Sequence, residues 1–156
     1  YNRSKDGKSA TITQFTTNEG LSFNLVYSLL EDKAGNIWLA TIGGGVNRLK
    51  FNSFSHITEN EGLSNPDAFS IVEDKLGSIW IGTFDGGVNR YKPENNNQNA
   101  FITQITKNDG LLNSYIMSLL EDRKGNMWFG VSGGGIELYG QIKDGKSPLA
   151  LNFSNL

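Results

Sequence analysis

The sequence has no cysteine, a single histidine (His56) and only 3 prolines in 156 residues. Without cysteine there is no disulfide, no thiolate-held zinc or iron–sulfur cluster, and no thiol nucleophile. Charge of one sign is also scarce. The 14 Lys+Arg stand against 16 Asp+Glu, a net charge of −2. There is no basic stripe, so a nucleic-acid surface has no electrostatic support. No apolar run approaches the roughly 20 residues of a membrane span, and the opening Tyr1-Asn2-Arg3-Ser4-Lys5 lacks the apolar core of a signal peptide. What is present argues for a folded chain. Hydrophobic residues make up 37% and aromatics 11%, whereas disorder goes with few aromatics and high net charge. Glycine is abundant, at 19 residues.

The glycines fall in a pattern because the chain repeats itself. Glu31-Asp32-Lys33-Ala34-Gly35-Asn36-Ile37-Trp38 returns as Glu73-Asp74-Lys75-Leu76-Gly77-Ser78-Ile79-Trp80, and again as Glu121-Asp122-Arg123-Lys124-Gly125-Asn126-Met127-Trp128. Glu31 and Glu73 are 42 residues apart, Glu73 and Glu121 48 apart, the longer spacer holding a polar stretch from Pro93 to Asn99. Gly20-Leu21-Ser22 matches Gly62-Leu63-Ser64 and Gly110-Leu111-Leu112. Gly43-Gly44-Gly45-Val46-Asn47-Arg48 matches Asp85-Gly86-Gly87-Val88-Asn89-Arg90 and Gly133-Gly134-Gly135-Ile136-Glu137-Leu138.

Each unit reads as four short strands. In the first unit they are residues 26–31, 37–41, 46–49 and 54–58. Asp32-Lys33-Ala34-Gly35 supplies a turn between the first two, and the glycine cluster breaks the second from the third. No window carries a helical period. Four strands in about 40–50 residues is the arithmetic of a β-propeller blade. The fold expected is all-β: three four-stranded antiparallel blade repeats forming a partial propeller. Residues 1–18 are expected to end a preceding blade, with an outer strand near 11–16. Repeats follow at 19–60, 61–108 and 109–156, residues 149–153 completing the third. Three blades fall short of the roughly 4–8 of a closed propeller. The expectation is therefore a part of a larger propeller, or a protomer that closes a ring with other copies. A lone arc would expose strand edges and apolar faces.

These motifs resemble the two-component regulator propeller repeat, over residues 14–139. The matching parts are the Gly-Leu-Ser start, the Val-Tyr-Ser-Leu-Leu-Glu-Asp strand, the Gly-Asn-Ile-Trp turn and the Gly-Gly-Gly-Val-Asn-Arg strand. The resemblance implies the periplasmic sensor part of an inner-membrane hybrid histidine kinase of the kind found in Bacteroidetes, sensing glycan-derived oligosaccharides. Nothing in the chain resembles kinase, phosphoacceptor or DNA-binding segments. The third unit departs most, with Glu137-Leu138 for Asn-Arg and Leu112 for Ser.

The residues bear on chemistry as follows. Trp38, Trp80 and Trp128 share one phase, and packing between blades explains a Trp per blade better than a sugar platform does. The Glu-Asp pairs are adjacent strand-end residues pointing to opposite faces. They cannot flank a glycosidic bond as two catalytic carboxyls about 5–10 Å apart must. The Asp turn resembles the structural Asp-box of sialidases with one extra residue, but no arginine cluster accompanies it. His56 has Gln14 and Gln104 as counterparts, so it reads as a variable polar position rather than a catalytic base. The repeat texture is also similar to that of streptogramin-lyase-type propellers, where a catalytic His is expected and no second His is available. The glycine clusters lack the Lys-Ser/Thr of a phosphate loop, and no calcium-loop spacing occurs. No cofactor and no metal is expected, and no enzymatic activity of this segment.

Topology narrows a ligand site. The Gly-Leu-Ser and Gly-Gly-Gly loops should share one face, with the Asp turns opposite. On the shared face matched positions differ: Asn24, Pro66 and Ser114; Leu25, Asp67 and Tyr115; Ile42, Phe84 and Ser132. Aromatic and polar groups there suit a sugar's faces and hydroxyls. The candidate ligand-binding residues are Asn24, Leu25, Asp67, Phe84, Tyr115 and Ser132. The function expected is ligand sensing without turnover. The alternatives are a glycan-active propeller enzyme and a purely structural or oligomerisation segment. The partners expected are a small-molecule ligand and further blades or copies, with no nucleic acid and no membrane contact by this segment.

Overall fold

A computed structural model describes residues 12–94, 98–140 and 150–152. It contains three four-stranded antiparallel sheets. The first holds β1 (Val26–Glu31), β2 (Ile37–Thr41), β3 (Gly45–Lys50) and β4 (Ser53–Ile57). The second holds β5 (Ala68–Glu73), β6 (Ile79–Thr83), β7 (Val88–Lys92) and β8 (Phe101–Ile105). The third holds β9 (Ile116–Glu121), β10 (Met127–Val131), β11 (Gly135–Tyr139) and β12 (Ala150–Asn152). Each sheet is a meander in chain order. The all-β blade architecture read from the repeat is the one observed. Residues 12–16 form no strand and have no ladder partner among the described residues. The rest of the stretch assigned to a preceding blade, and most of 141–156, lie outside the described residues.

The connections into β1, β5 and β9 hold a feature that strand periodicity does not show. Each contains a 3₁₀ turn: Thr17–Glu19, Glu59–Glu61 and Lys107–Asp109. A capping box closes each one. Thr16 exchanges bonds with Glu19, Thr58 with Glu61 and Thr106 with Asp109, which satisfies the free N–H groups of so short a helix. Gly20, Gly62 and Gly110 end them at φ near 100°, a conformation that glycine adopts without a Cβ penalty.

Two apolar cores lie between the sheets. Trp38, Ala40, Val46 and Ile57 of the first sheet meet Ala68, Ile71, Ile79 and Ile81 of the second. Trp80, Val88 and Ile105 of the second meet Ile116, Met127, Phe129 and Val131 of the third. Both faces of the middle sheet are therefore buried, and β6 is buried along its whole length. The first strands neighbour one another, β1 on β5 and β5 on β9. No comparable contact joins the fourth strands among the described residues, so the sheets fan out as propeller blades from a common inner edge.

Candidate functional site

The Asp-turn face is a repeated lock. Asp32 Oδ1 accepts the N–H groups of Ala34 and Asn36, and Oδ2 accepts Trp38 Nε1–H at 2.7 Å. Asp74 does the same for Leu76, Ser78 and Trp80, and Asp122 for Lys124, Asn126 and Trp128. Burial works against the charged form of Asp32 and Asp74, yet the donated hydrogen bonds win and hold both carboxyls below the usual range. Asp122 is held lower still, chiefly by the bonds from Asn126. The tryptophans are scaffold: Trp38 and Trp80 are buried in the two cores. The glutamates before these aspartates tie blades together. Glu73 accepts Lys33 N–H and Glu121 accepts Lys75 N–H, each at 2.9 Å across a seam.

Grooves on this face repeat with the scaffold. One of about 490 Å³ is lined by Asp74, Lys75, Trp80, Arg90, Glu121 and Tyr139. One of about 440 Å³ at the matching place is lined by Asp32, Lys33, Trp38, Arg48 and Glu73. Their carboxylates are occupied: Asp74 holds Trp80 and, at 3.0 Å, Arg90, while Glu121 holds Lys75. These grooves are seams between blades. His56 is scaffold too. Its Nε2 lies 2.9 Å from the Gly20 carbonyl, where Gln104 Nε2–H bonds the Gly62 carbonyl at the same distance.

The opposite face differs between units. The two loop sets do share it: Ile42 N–H bonds the Leu25 carbonyl, and Gly45 N–H bonds the Pro66 carbonyl of the next blade. Here β1, β5 and β9 each carry a bulge. Pairing skips Tyr27, Phe69 and Met117, at one phase of the repeat. A bulge re-aims the side chain of the residue it leaves unpaired. Tyr27 and Phe69, aimed in this way, join Phe84 and Tyr115 from the adjoining loops in one aromatic cluster that draws on all three units. Tyr27 meets Phe69 at 4.9 Å between ring centroids, Phe69 meets Tyr115 at 5.2 Å, and Tyr115 meets Phe84 at 4.6 Å. Tyr27 is 56% and Phe84 42% exposed, so ring surface remains open to a ligand.

Of the residues singled out from sequence, Phe84 and Tyr115 are in direct contact. Asp67 and Ser132 border them through the backbone: Phe84 N–H bonds the Asp67 carbonyl, and Ser132 N–H bonds the Tyr115 carbonyl. Asp67 Oδ1 accepts Gly43 N–H at 2.6 Å, and its second oxygen has no partner among the described residues. Asn24 is turned away, its Oδ1 taking Thr17 N–H. Leu25 is half-exposed in the first loop. Tyr27 and Phe69 escaped the sequence reading, which took their strands as regular. The available signal was a bulky residue at the second strand position of every unit. Among the described residues, no three His, Asp or Glu side chains gather as metal ligands.

Comparison with known proteins places this geometry. Residues 20–43, 62–85 and 110–133 each match the two-component regulator propeller family. A solved extracellular domain of a Bacteroides thetaiotaomicron protein described as a hybrid two-component system is 27% identical. It superposes on 77% of the chain with a TM-score of 0.66. A second B. thetaiotaomicron domain of the same description is 21% identical over 96% of the chain, with a TM-score of 0.53. PorZ, a surface component of the type-IX secretion system of Porphyromonas gingivalis, shares the fold at 14% identity and a TM-score of 0.59. The chain spans 17%, 25% and 20% of these three structures. No curated protein matches it.

Proposed function

We propose that this chain, which carries three two-component regulator propeller repeats, binds a glycan-derived oligosaccharide on its aromatic face and does not turn it over. The observation that carries the reading is the Tyr27–Phe69–Tyr115–Phe84 cluster, assembled from the strands and loops of all three units on the face where the repeats differ. Exposed ring faces pack against the C–H faces of a sugar, and the free oxygen of Asp67 accepts a hydroxyl. A ligand lying across three blades is held better in one arrangement of them than in another, and that difference can bias a kinase carried elsewhere in the receptor. Extracellular domains of two-component systems share the fold, which supports a place outside the cytoplasm for this segment. Among the described residues no helix is long and apolar enough to cross a membrane.

The test is a glycan array of oligosaccharides, with calorimetry on any that bind. Phe84→Ala with Tyr115→Ala should weaken binding at least about tenfold, since each lost stacking contact is worth about 1 kcal/mol, while chromatography shows the glycan intact. Unchanged affinity in the double variant, or cleavage of the glycan, would refute the reading.

A further inference from the structure

The aromatic face carries charge of essentially one sign. Its loops are residues 17–25, 42–44, 58–67, 84–87, 106–115 and 132–134, and they hold Glu19, Glu59, Glu61, Asp67, Asp85 and Asp109 against Lys107 as their sole lysine or arginine. The other described lysines and arginines lie on the third strands of the first two sheets or in the Asp turns opposite. Glu19, Glu61 and Asp109 are spent in the capping boxes of their own turns. Two of the remaining carboxylates flank the exposed Phe84 ring. The Asp67 carbonyl takes Phe84 N–H at 2.9 Å, and one of its two side-chain oxygens is left open. Asp85 follows Phe84 in the chain, is exposed, and has no side-chain partner among the described residues. It stands where the first and third units have Gly43 and Gly133, at a φ of 53° that glycine would adopt without a Cβ penalty.

Phe84, Asp67 and Asp85 belong to the second unit, which has a sheet packed on either side. Among the described residues neither aspartate makes an ion pair. The faces of Phe84 and of Tyr115, 4.6 Å away, attract positive charge through the ring quadrupole, and the two carboxylates attract it directly. A neutral sugar leaves both charges uncompensated, and an acidic one brings like charge against them. Taking the oligosaccharide reading above as its premise, we infer that this face selects a glycan with a free, protonated amino group, an amino sugar that is not N-acetylated, and turns acidic glycans away. The ammonium group sits between the Asp67 and Asp85 carboxylates, over the Phe84 ring.

Calorimetry tests this with tetrasaccharides of glucosamine, N-acetylglucosamine and glucose in the same β linkage, and with an oligogalacturonate of the same length, at slightly acidic pH where the amine is charged. The glucosamine tetrasaccharide should bind at least about tenfold more tightly than the glucose one. The oligogalacturonate should not bind, and added salt should narrow the preference. Asp67→Asn with Asp85→Asn should abolish the preference and leave the fold intact, since asparagine keeps the acceptor for Gly43 N–H and tolerates the left-handed conformation. Phe84→Ala with Tyr115→Ala should abolish glucosamine binding as well, which separates the site from diffuse attraction to an acidic surface. Glucose or galacturonate bound as tightly as glucosamine through Phe84 and Tyr115 would overturn the charge assignment and leave the aromatic face standing as a glycan site. A preference that survives either double variant would overturn the assignment too. No binding by any glycan, in this series or on the array, would take both readings down.

Discussion

Asp67, just before the second sheet, accepts the N–H of Gly43, just after β2 of the first, at 2.6 Å across the face on which the repeats differ. The bond fixes the β2–β3 turn against the loop that leads into β5, beside the aromatic cluster. Asp67→Ala removes a charged acceptor from an exposed N–H, which water can then satisfy. The expected loss is about 1 kcal/mol, or about 2–4 °C in Tm for a chain of this size. Asp67→Asn keeps the acceptor oxygen and should recover most of the stability. If it recovers stability but not glycan affinity, the carboxylate itself contacts the ligand.

The Asp-turn locks are equivalent in sequence and unequal in depth. Asp74→Ala strips the partner from buried Trp80 Nε1–H and from Arg90, a loss of about 3 kcal/mol with the two turn N–H groups included. Asp122→Ala should cost less, because Trp128 is only half-buried and Leu138 replaces the arginine. Urea unfolding of the two variants checks the order. The locks also set the acid limb of stability. Their folded pKa values lie below the unfolded aspartate value of about 3.9. The stabilisation is therefore complete above that pH and falls as the pH drops toward the depressed folded values.

Much of the fold was legible because its units repeat, and a candidate face stood out by what varies between them. The motif from Asp32 to Trp38 marks the first hairpin, and β1 and β2 begin and end where its apolar runs do. The shared loop face follows from four strands running up and down. The bulge was not legible. A register shift at Tyr27 or Phe69 depends on the neighbouring strand as well as on local alternation, so the inner half of the aromatic cluster stayed hidden inside an ordinary apolar run. The tie between Asp and Trp was equally hidden, since six residues separate them in the chain and only the closed hairpin brings them together.

Glu137 stands where the other units have Asn47 and Asn89. Asn89 takes Ser64 N–H on its oxygen and gives its amide N–H to Ser64 Oγ. Glu137 takes Leu112 N–H at 3.0 Å, but leucine has no hydroxyl, and Oε2 is buried without a partner among the described residues. Burial pushes the Glu137 carboxyl up despite the N–H groups that bond it. A raised folded pKa means that the ionised form is disfavoured in the fold. That cost is absent below the unfolded glutamate value of about 4.3 and grows as pH rises through the folded value. Glu137→Gln should therefore raise stability at pH 7 by about 1 kcal/mol and leave it unchanged at pH 4. Chemical unfolding at the two pH values decides it, and an equal gain at both would remove ionisation from the explanation.

The two seams are fitted differently, and a pair of substitutions can expose the fit. Ala40, Gly82 and Gly130 share one phase on the second strand. Ala40 shares the first core with Ala68, whereas the second core has Ile116 at the phase of Ala68. A methyl on Gly82 would lie 2.7 Å from Ile116 Cγ2 and 3.0 Å from the Ile116 carbonyl oxygen, besides crowding Ser70 Oγ. Serine can rotate away, but the strand that carries Ile116 cannot shift without opening the seam. Gly82→Ala should therefore cost about 1–3 kcal/mol by overpacking. Ile116→Ala alone should cost about 2–4 kcal/mol by leaving a cavity. Together they reproduce the Ala–Ala pairing of the first seam, so the double variant should be more stable than the sum of the single losses predicts, by about 1 kcal/mol in a double-mutant cycle. Additive losses would mean that Gly82 is required by its own strand, through Ser70, and not by the blade it faces.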